Sequence, residues 1–390
     1  MKTHRGIAWL TASLFTVGLA GLSSCGGGGY SAPMTPSPSP SPSPSPSPSP
    51  SPSPLPPSGM SFSVTNLVSD GGITAAHTDA NLKNGWGIAF NPAGFVWVAD
   101  NGTSKSTLYD GNGVPQSLVV SIPPVASGDA APTGIVFNAS QDFKVSQGGM
   151  SAASPFIFAS EAGTISGWSP SVNPTVAVTV FDGSSSGTVY KGLALSSSYL
   201  GANHIYAADF HNKKVDVFDG TFAKMSLPGG FTDPTLPAGY APYGIQAVGA
   251  KIYVSFALQD PQGHDEVKGA GLGIIDEFDA SGSLTKRLVT GGALNAGWGM
   301  AMAPSNFGAF SNDLLVSNFG DGKINAFDPA TGALVGALSK SDGTPIVIDG
   351  LWGIAFGNGI NNSQPTNTLF FTAGPAAETQ GLYGRIDISS

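Results

Sequence analysis

The chain is poor in several things at once, and each shortage excludes something. It has one cysteine, Cys25, so no disulfide can form within it, and neither a CxxC pair nor a haem-attachment CxxCH motif is possible. It has four glutamates, Glu161, Glu266, Glu277 and Glu378, and no clearly paired acid and base stands out. Charged residues make up 11% of it. Two of the 16 basic residues, Lys2 and Arg5, lie near the start, while every acid lies after residue 59. That leaves 14 basic against 25 acidic residues in the remainder, a balance that repels nucleic-acid phosphate and anionic lipid. There is no P-loop and no dinucleotide-binding fingerprint. The string Gly183-Ser184-Ser185-Ser186-Gly187 matches G-x-S-x-G, but it lies in a Ser/Gly-rich connection without the strand-turn-helix elbow that motif needs.

What the chain has in abundance is glycine, 54 residues, arranged in a repeat. The stretch 84–110, NGWGIAFNPAGFVWVADNGTSKSTLYD, reads as three short strands with turns at Asn91-Pro92-Ala93-Gly94 and Asp100-Asn101-Gly102. Its opening glycine recurs as Gly87, Gly134, Gly192, Gly244, Gly299 and Gly353, followed by an apolar pair in all but Ile245-Gln246. The second strand recurs as VWVAD, FIFAS, IYAAD, IYVSF, LLVSN and LFFTA. The third closes on an aromatic and an aspartate at Tyr109-Asp110, Phe218-Asp219, Phe278-Asp279 and Phe327-Asp328. A period of roughly 47 to 58 residues, all strand and no helix, predicts an all-β fold: a six-bladed β-propeller over 60–390. Outer strands are expected at 117–122, 176–181, 223–227, 284–289 and 333–338. The strand at 62–68 is expected to complete the last blade, which otherwise ends one strand short.

The segments Asn212-Lys213-Lys214-Val215-Asp216-Val217-Phe218-Asp219 and Asp321-Gly322-Lys323-Ile324-Asn325-Ala326-Phe327-Asp328 resemble the NHL repeat. As a whole, 61–388 resembles a family of secreted bacterial NHL-like propeller proteins. That resemblance implies the fold and carries no chemistry with it.

Residues 1–24 read as a secretory signal peptide: Lys2, His4 and Arg5 precede an apolar run over 7–22 that Ser, Thr and Gly interrupt. It ends Leu22-Ser23-Ser24-Cys25, which resembles a bacterial lipobox, so Cys25 is the expected lipidation site. Residues 25–59 read as a linker, glycine-rich and then alternating Ser-Pro, extended and unable to join a sheet. The expectation is a monomer exported and lipid-anchored at an outer membrane or cell surface, with an envelope protein or a small molecule as partner and no nucleic acid.

Two sets of residues are candidates for a site at the channel mouth. Those just before the opening glycines are Trp86, Thr133, Lys191, Tyr243, Trp298 and Trp352; the aromatics with Lys191 could form a ligand-binding rim, or could simply pack between blades. The turns after the second strands supply Asp100, Asn101, Glu161, Asp209, His211, Asn318 and Asp321. Such a ring of oxygen ligands suits Ca²⁺, and gluconolactonase-like propellers, which this arrangement resembles, hold a metal with Glu, Asn and Asp at a comparable mouth. The same residues are also ordinary turn formers. Insertions stand at 141–154 and 259–271, and His264-Asp265-Glu266 in the latter is the densest titratable cluster. The first functional expectation is a binding or scaffolding module; the alternative is a metal-dependent hydrolase of small molecules.

Overall fold

A computed structural model of the chain describes residues 60–126, 128–360 and 363–389. The leader, the linker and Cys25 lie outside them. In the first blade, Gly85–Phe90, Val96–Asp100, Lys105–Tyr109 and Val120–Ser121 pair antiparallel in chain order. The second strand is buried at every residue. Both of its faces are covered, so the sequence there is a continuous apolar run rather than an alternation. Phe156–Ser160, Leu314–Asn318 and Leu369–Ala373 repeat this in later blades.

Five four-stranded sheets of this kind and a sixth of five strands form the propeller. In the sixth, Ser61–Ser69 lies antiparallel to Leu382–Ser389, from Ser61 opposite Ser389 to Ser69 opposite Leu382. The N-terminal strand therefore supplies the missing outer strand, as its sequence predicts, and a short strand, His77–Thr78, continues beyond it. The insertion at 141–154 is a hairpin, Lys144–Gln147 with Met150–Ala153. Phe143 and Val145 anchor it in the apolar cluster between the second and third blades.

The closing aromatic-aspartate pair divides its labour. Tyr109, Phe218, Phe278 and Phe327 are buried between blades. The aspartate that follows accepts backbone amides of the next turn: Asp219 from Thr221 and Ala223, Asp279 from Ser281 and Ser283, Asp328 from Ala330 and Thr331. These are Asx turns, which is why aspartate recurs there.

The opening glycine answers to a different constraint. A Cβ on Gly244 would stand 2.0 Å from the carbonyl oxygen of Trp298, and one on Gly353 would stand 2.5 Å from that of Trp86. Each glycine takes the backbone of the next blade at the channel wall, so the repeat tolerates no side chain there. Among the described residues no helix is long and apolar enough to cross a membrane.

Candidate functional site

Inner strands begin with a shift in register, between Gly85 and Ile88, Gly297 and Met300, and Leu351 and Ile354. Bulges of this kind re-aim side chains. Just ahead of two of them, Asn84 and Ala296 adopt left-handed backbone at φ 46° and 48°. The outcome is that the residues preceding the glycines meet at one end of the channel. Trp86 stacks on Trp352 at 3.5 Å, and Trp352 on Phe319 at 3.8 Å. Trp298 stands edge-on to both tryptophans, and Tyr243 packs against Phe210. Trp86, Tyr243 and Trp352 are each 2% exposed or less. The expected aromatic rim is therefore a plug that closes the channel, and the packing alternative describes these rings. Thr133 is structural, its hydroxyl donating to the Tyr190 carbonyl.

Lys191 is the exception in that ring. Its side chain is buried, with Nζ 5.1 Å from the Trp86 ring and 2.5 Å from Glu161 Oε1. Nζ also lies 3.4 Å from Asp265 Oδ1. Glu161 Oε2 accepts from Asn101 Nδ2 at 2.9 Å. Asn84 Nδ2 donates to Asn101 Oδ1 and to Glu378 Oε2, while its Oδ1 accepts from Trp352 Nε1. A polar network thus lies on the aromatic plug, built from blades one, two, three and six and from the 259–271 loop. Three of the four glutamates, Glu161, Glu266 and Glu378, belong to it.

The loop closes over this network. Gln259 Nε2 donates to the Phe210 carbonyl, His211 Nδ1 meets the Gly263 carbonyl, and Gly269 N donates to Asn295 Oδ1. His264-Asp265-Glu266 is thereby more than a solvated charged turn. His264 Nδ1 is 2.8 Å from Asp265 Oδ1, which holds that carboxyl down at about 2, with Lys191 contributing. Glu266 is half-buried beside the Tyr243 hydroxyl, and burial pushes its carboxyl from the ordinary 4.5 up to about 7. Two neighbouring carboxyls are thus driven apart by their surroundings.

The expected metal set does not gather at one point. Asp209 caps the turn at Asn212 and pairs with Lys214. Asp100 is wholly buried near Thr107 and Asp79. Asn318 donates to the Ala293 carbonyl and to Asp321. His211 braces the loop. Asn101 and Glu161 are the members of this set that join the network at the mouth. Among the described residues the one trio within metal-ligand reach is Glu161, His264 and Asp265, whose ligand atoms lie within 4.8 Å of one another. Lys191 Nζ contacts two of the three, so a divalent cation there would face an ammonium already in place. The residues fit a lysine better than Ca²⁺.

Sequence reasoning missed Asn84 and Glu378, and named the 259–271 loop without singling out Lys268. No local pattern marks them; they lie at loop positions and converge only through ring closure. Two buried indole nitrogens at the plug, Trp86 Nε1 and Trp298 Nε1, have no hydrogen-bond partner, while the Tyr243 hydroxyl lies against Glu266. At the opposite end the channel is a funnel of about 490 Å³ whose lining side chains include the apolar Phe90, Phe137, Leu195, Val248, Met302 and Phe356 and the polar Gln246.

No family model matches the sequence. Over 335 residues the chain is 35% identical to Uncharacterized protein R648 of Acanthamoeba polyphaga mimivirus, covering 84% of this chain and 80% of that one. The relatives found are viral and give no support to the bacterial lineage implied by the NHL-like resemblance. Among solved structures, a Bacteroides thetaiotaomicron protein of unknown function superposes with a TM-score of 0.53 at 11% identity, over 85% of this chain and 76% of that one. A catalytically inactive virginiamycin B lyase from Staphylococcus aureus with quinupristin superposes at 0.50 and 14% identity, over 84% and 99%. These likenesses concern the fold.

Proposed function

The chain belongs to one family with the mimivirus protein R648, and from that premise and the geometry of the mouth we propose that it is a small-molecule-binding propeller. Its site is the polar network between the aromatic plug and the 259–271 loop. The observation that carries this reading is the convergence of Glu161, Lys191, Glu266 and Glu378 from four parts of the chain onto one channel end. A fold needs no such gathering. Buried ion pairs add little to stability over apolar residues of similar size, so their concentration points to recognition. Desolvated charges and unpaired donors hold a ligand by hydrogen bonds that water satisfies less well. The carboxyls of Asp265 and Glu266, at about 2 and about 7, supply an acceptor and a proton donor side by side near neutral pH.

The alternative, a metal-dependent hydrolase of the lactonase kind, has less behind it. It asks Glu161, His264 and Asp265 to hold a cation where Lys191 already neutralises two of them. A scaffolding role has no particular surface in its favour.

The test is affinity selection of a small-molecule library on the full chain, followed by the same selection on Glu266→Gln and on Met302→Ala at the opposite end. The reading predicts compounds that Met302→Ala retains and Glu266→Gln loses. Compounds lost only in Met302→Ala would move the site to the funnel and overturn it.

A further inference from the structure

The stacked rings Phe319, Trp352 and Trp86 run across the mouth as a column with an ammonium at each end. Lys191 Nζ sits over Trp86 at 5.1 Å, and Lys268 Nζ sits over Phe319 at 3.7 Å. The two lysines differ. Lys191 is buried and ion-paired, a fixed part of the site. Lys268 is exposed and belongs to the 259–271 loop. No salt bridge is formed by it among the described residues, and its charge is felt by Glu378.

We infer that the outer face of Phe319 is a binding site for a small organic ammonium ion, and that Lys268 is the chain's own stand-in for it. The inference rests on the mouth being the ligand site and adds the class of ligand. Three observations support it. First, an aromatic face at 3.7 Å from a cation is a favourable geometry, since the ring presents its negative face to the charge. Second, the mouth carries four carboxyl groups, Glu161, Asp265, Glu266 and Glu378, against two lysines within their field. When Lys268 leaves, only Lys191 remains to balance them, and a cation is the charge the vacated place favours. Third, Phe319 is 3% exposed with Lys268 on its face, so a cation held in the same place is sheltered from water, which strengthens a cation–π contact.

Exchange of Lys268 for a ligand requires only that an exposed side chain swing away. The neighbouring Gly269–Asn295 and Gln259–Phe210 contacts can hold the loop while it does so. A ligand ammonium competes with an intramolecular one at high local concentration, so removing Lys268 should tighten binding.

The experiment is a titration of the full chain followed by tryptophan fluorescence, with choline as the cation and 3,3-dimethylbutanol as its neutral isostere. It is run on the parent, on Lys268→Ala and on Glu378→Gln. The inference predicts that choline binds Lys268→Ala about tenfold more tightly than the parent, a change of about 1.4 kcal/mol. It predicts that Glu378→Gln weakens choline, and that the neutral alcohol shows no such dependence. Equal binding of choline and the alcohol, or no gain in Lys268→Ala, would overturn it. If neutral library compounds are lost in Glu266→Gln while choline fails, the ammonium inference falls and the mouth reading stands. If both fail together, the mouth is not the site.

Discussion

Glu266 shows at the scale of one residue how the mouth differs from the rest of the surface. The folded chain keeps its proton up to about pH 7, because burial disfavours the carboxylate, whereas an unfolded glutamate releases it near 4.5. Between those values the folded state binds more protons than the unfolded one. Stability attributable to this group is therefore full below about pH 4.5 and falls as pH rises towards 7. Glu266→Gln cannot lose a proton, so its melting temperature relative to the parent should rise across that window and level off above it. Asp276 is also pushed up to about 7 by burial, so the parent's slope alone does not isolate Glu266; the difference between the two proteins does. A difference that stays flat from pH 4 to 8 would contradict the assignment. The opening glycines make a second residue-scale prediction. Gly244→Ala places a methyl 2.0 Å from the Trp298 carbonyl, against backbone that cannot step aside. Urea unfolding should show a loss of about 3 kcal/mol, the upper range for overpacking. A loss below about 1 kcal/mol would mean that the ring relaxes.

The blade is the scale at which the sequence is most legible. The phase of the glycines, the continuous apolar second strands and the aromatic-aspartate closures each have one local cause, so each can be read from one stretch. Ring closure by 62–68 was equally readable, since the last repeat lacks a strand. The mouth was not. Asp100, Asp209 and Asn318 end second strands, one position before the turn that holds Asn101, and their side chains are buried there, with Asp209 and Asn318 bonding backbone. Turn chemistry and ligand chemistry use the same residue types, and sequence cannot tell which way such a side chain faces. Asn84 and Glu378 meet at 2.9 Å across nearly the whole chain, a contact that only the closed ring creates. Closure itself can be tested. Removing Ser61–Ser69 exposes the edge of Leu382–Ser389 to solvent and to other chains. The shortened protein should lose its cooperative melt and scatter light as it associates. A monomeric, cooperatively folded product would show that the strand is dispensable.

At the scale of the molecule, the two ends of the channel differ. One is an open funnel; the other is plugged by aromatic rings and roofed by a charged network under a loop. Proteins that keep buried charge at such a place give up stability for binding. The double variant Glu161→Leu/Lys191→Met probes this trade-off, since it replaces the ion pair with apolar groups of comparable volume. Thermal melting of parent and variant, each with the compounds selected on the parent, reads stability and binding together. The variant should melt at or above the parent and no longer shift with those compounds. A variant that melts lower and still shifts with them would show that the pair holds the fold together and that the ligand binds elsewhere.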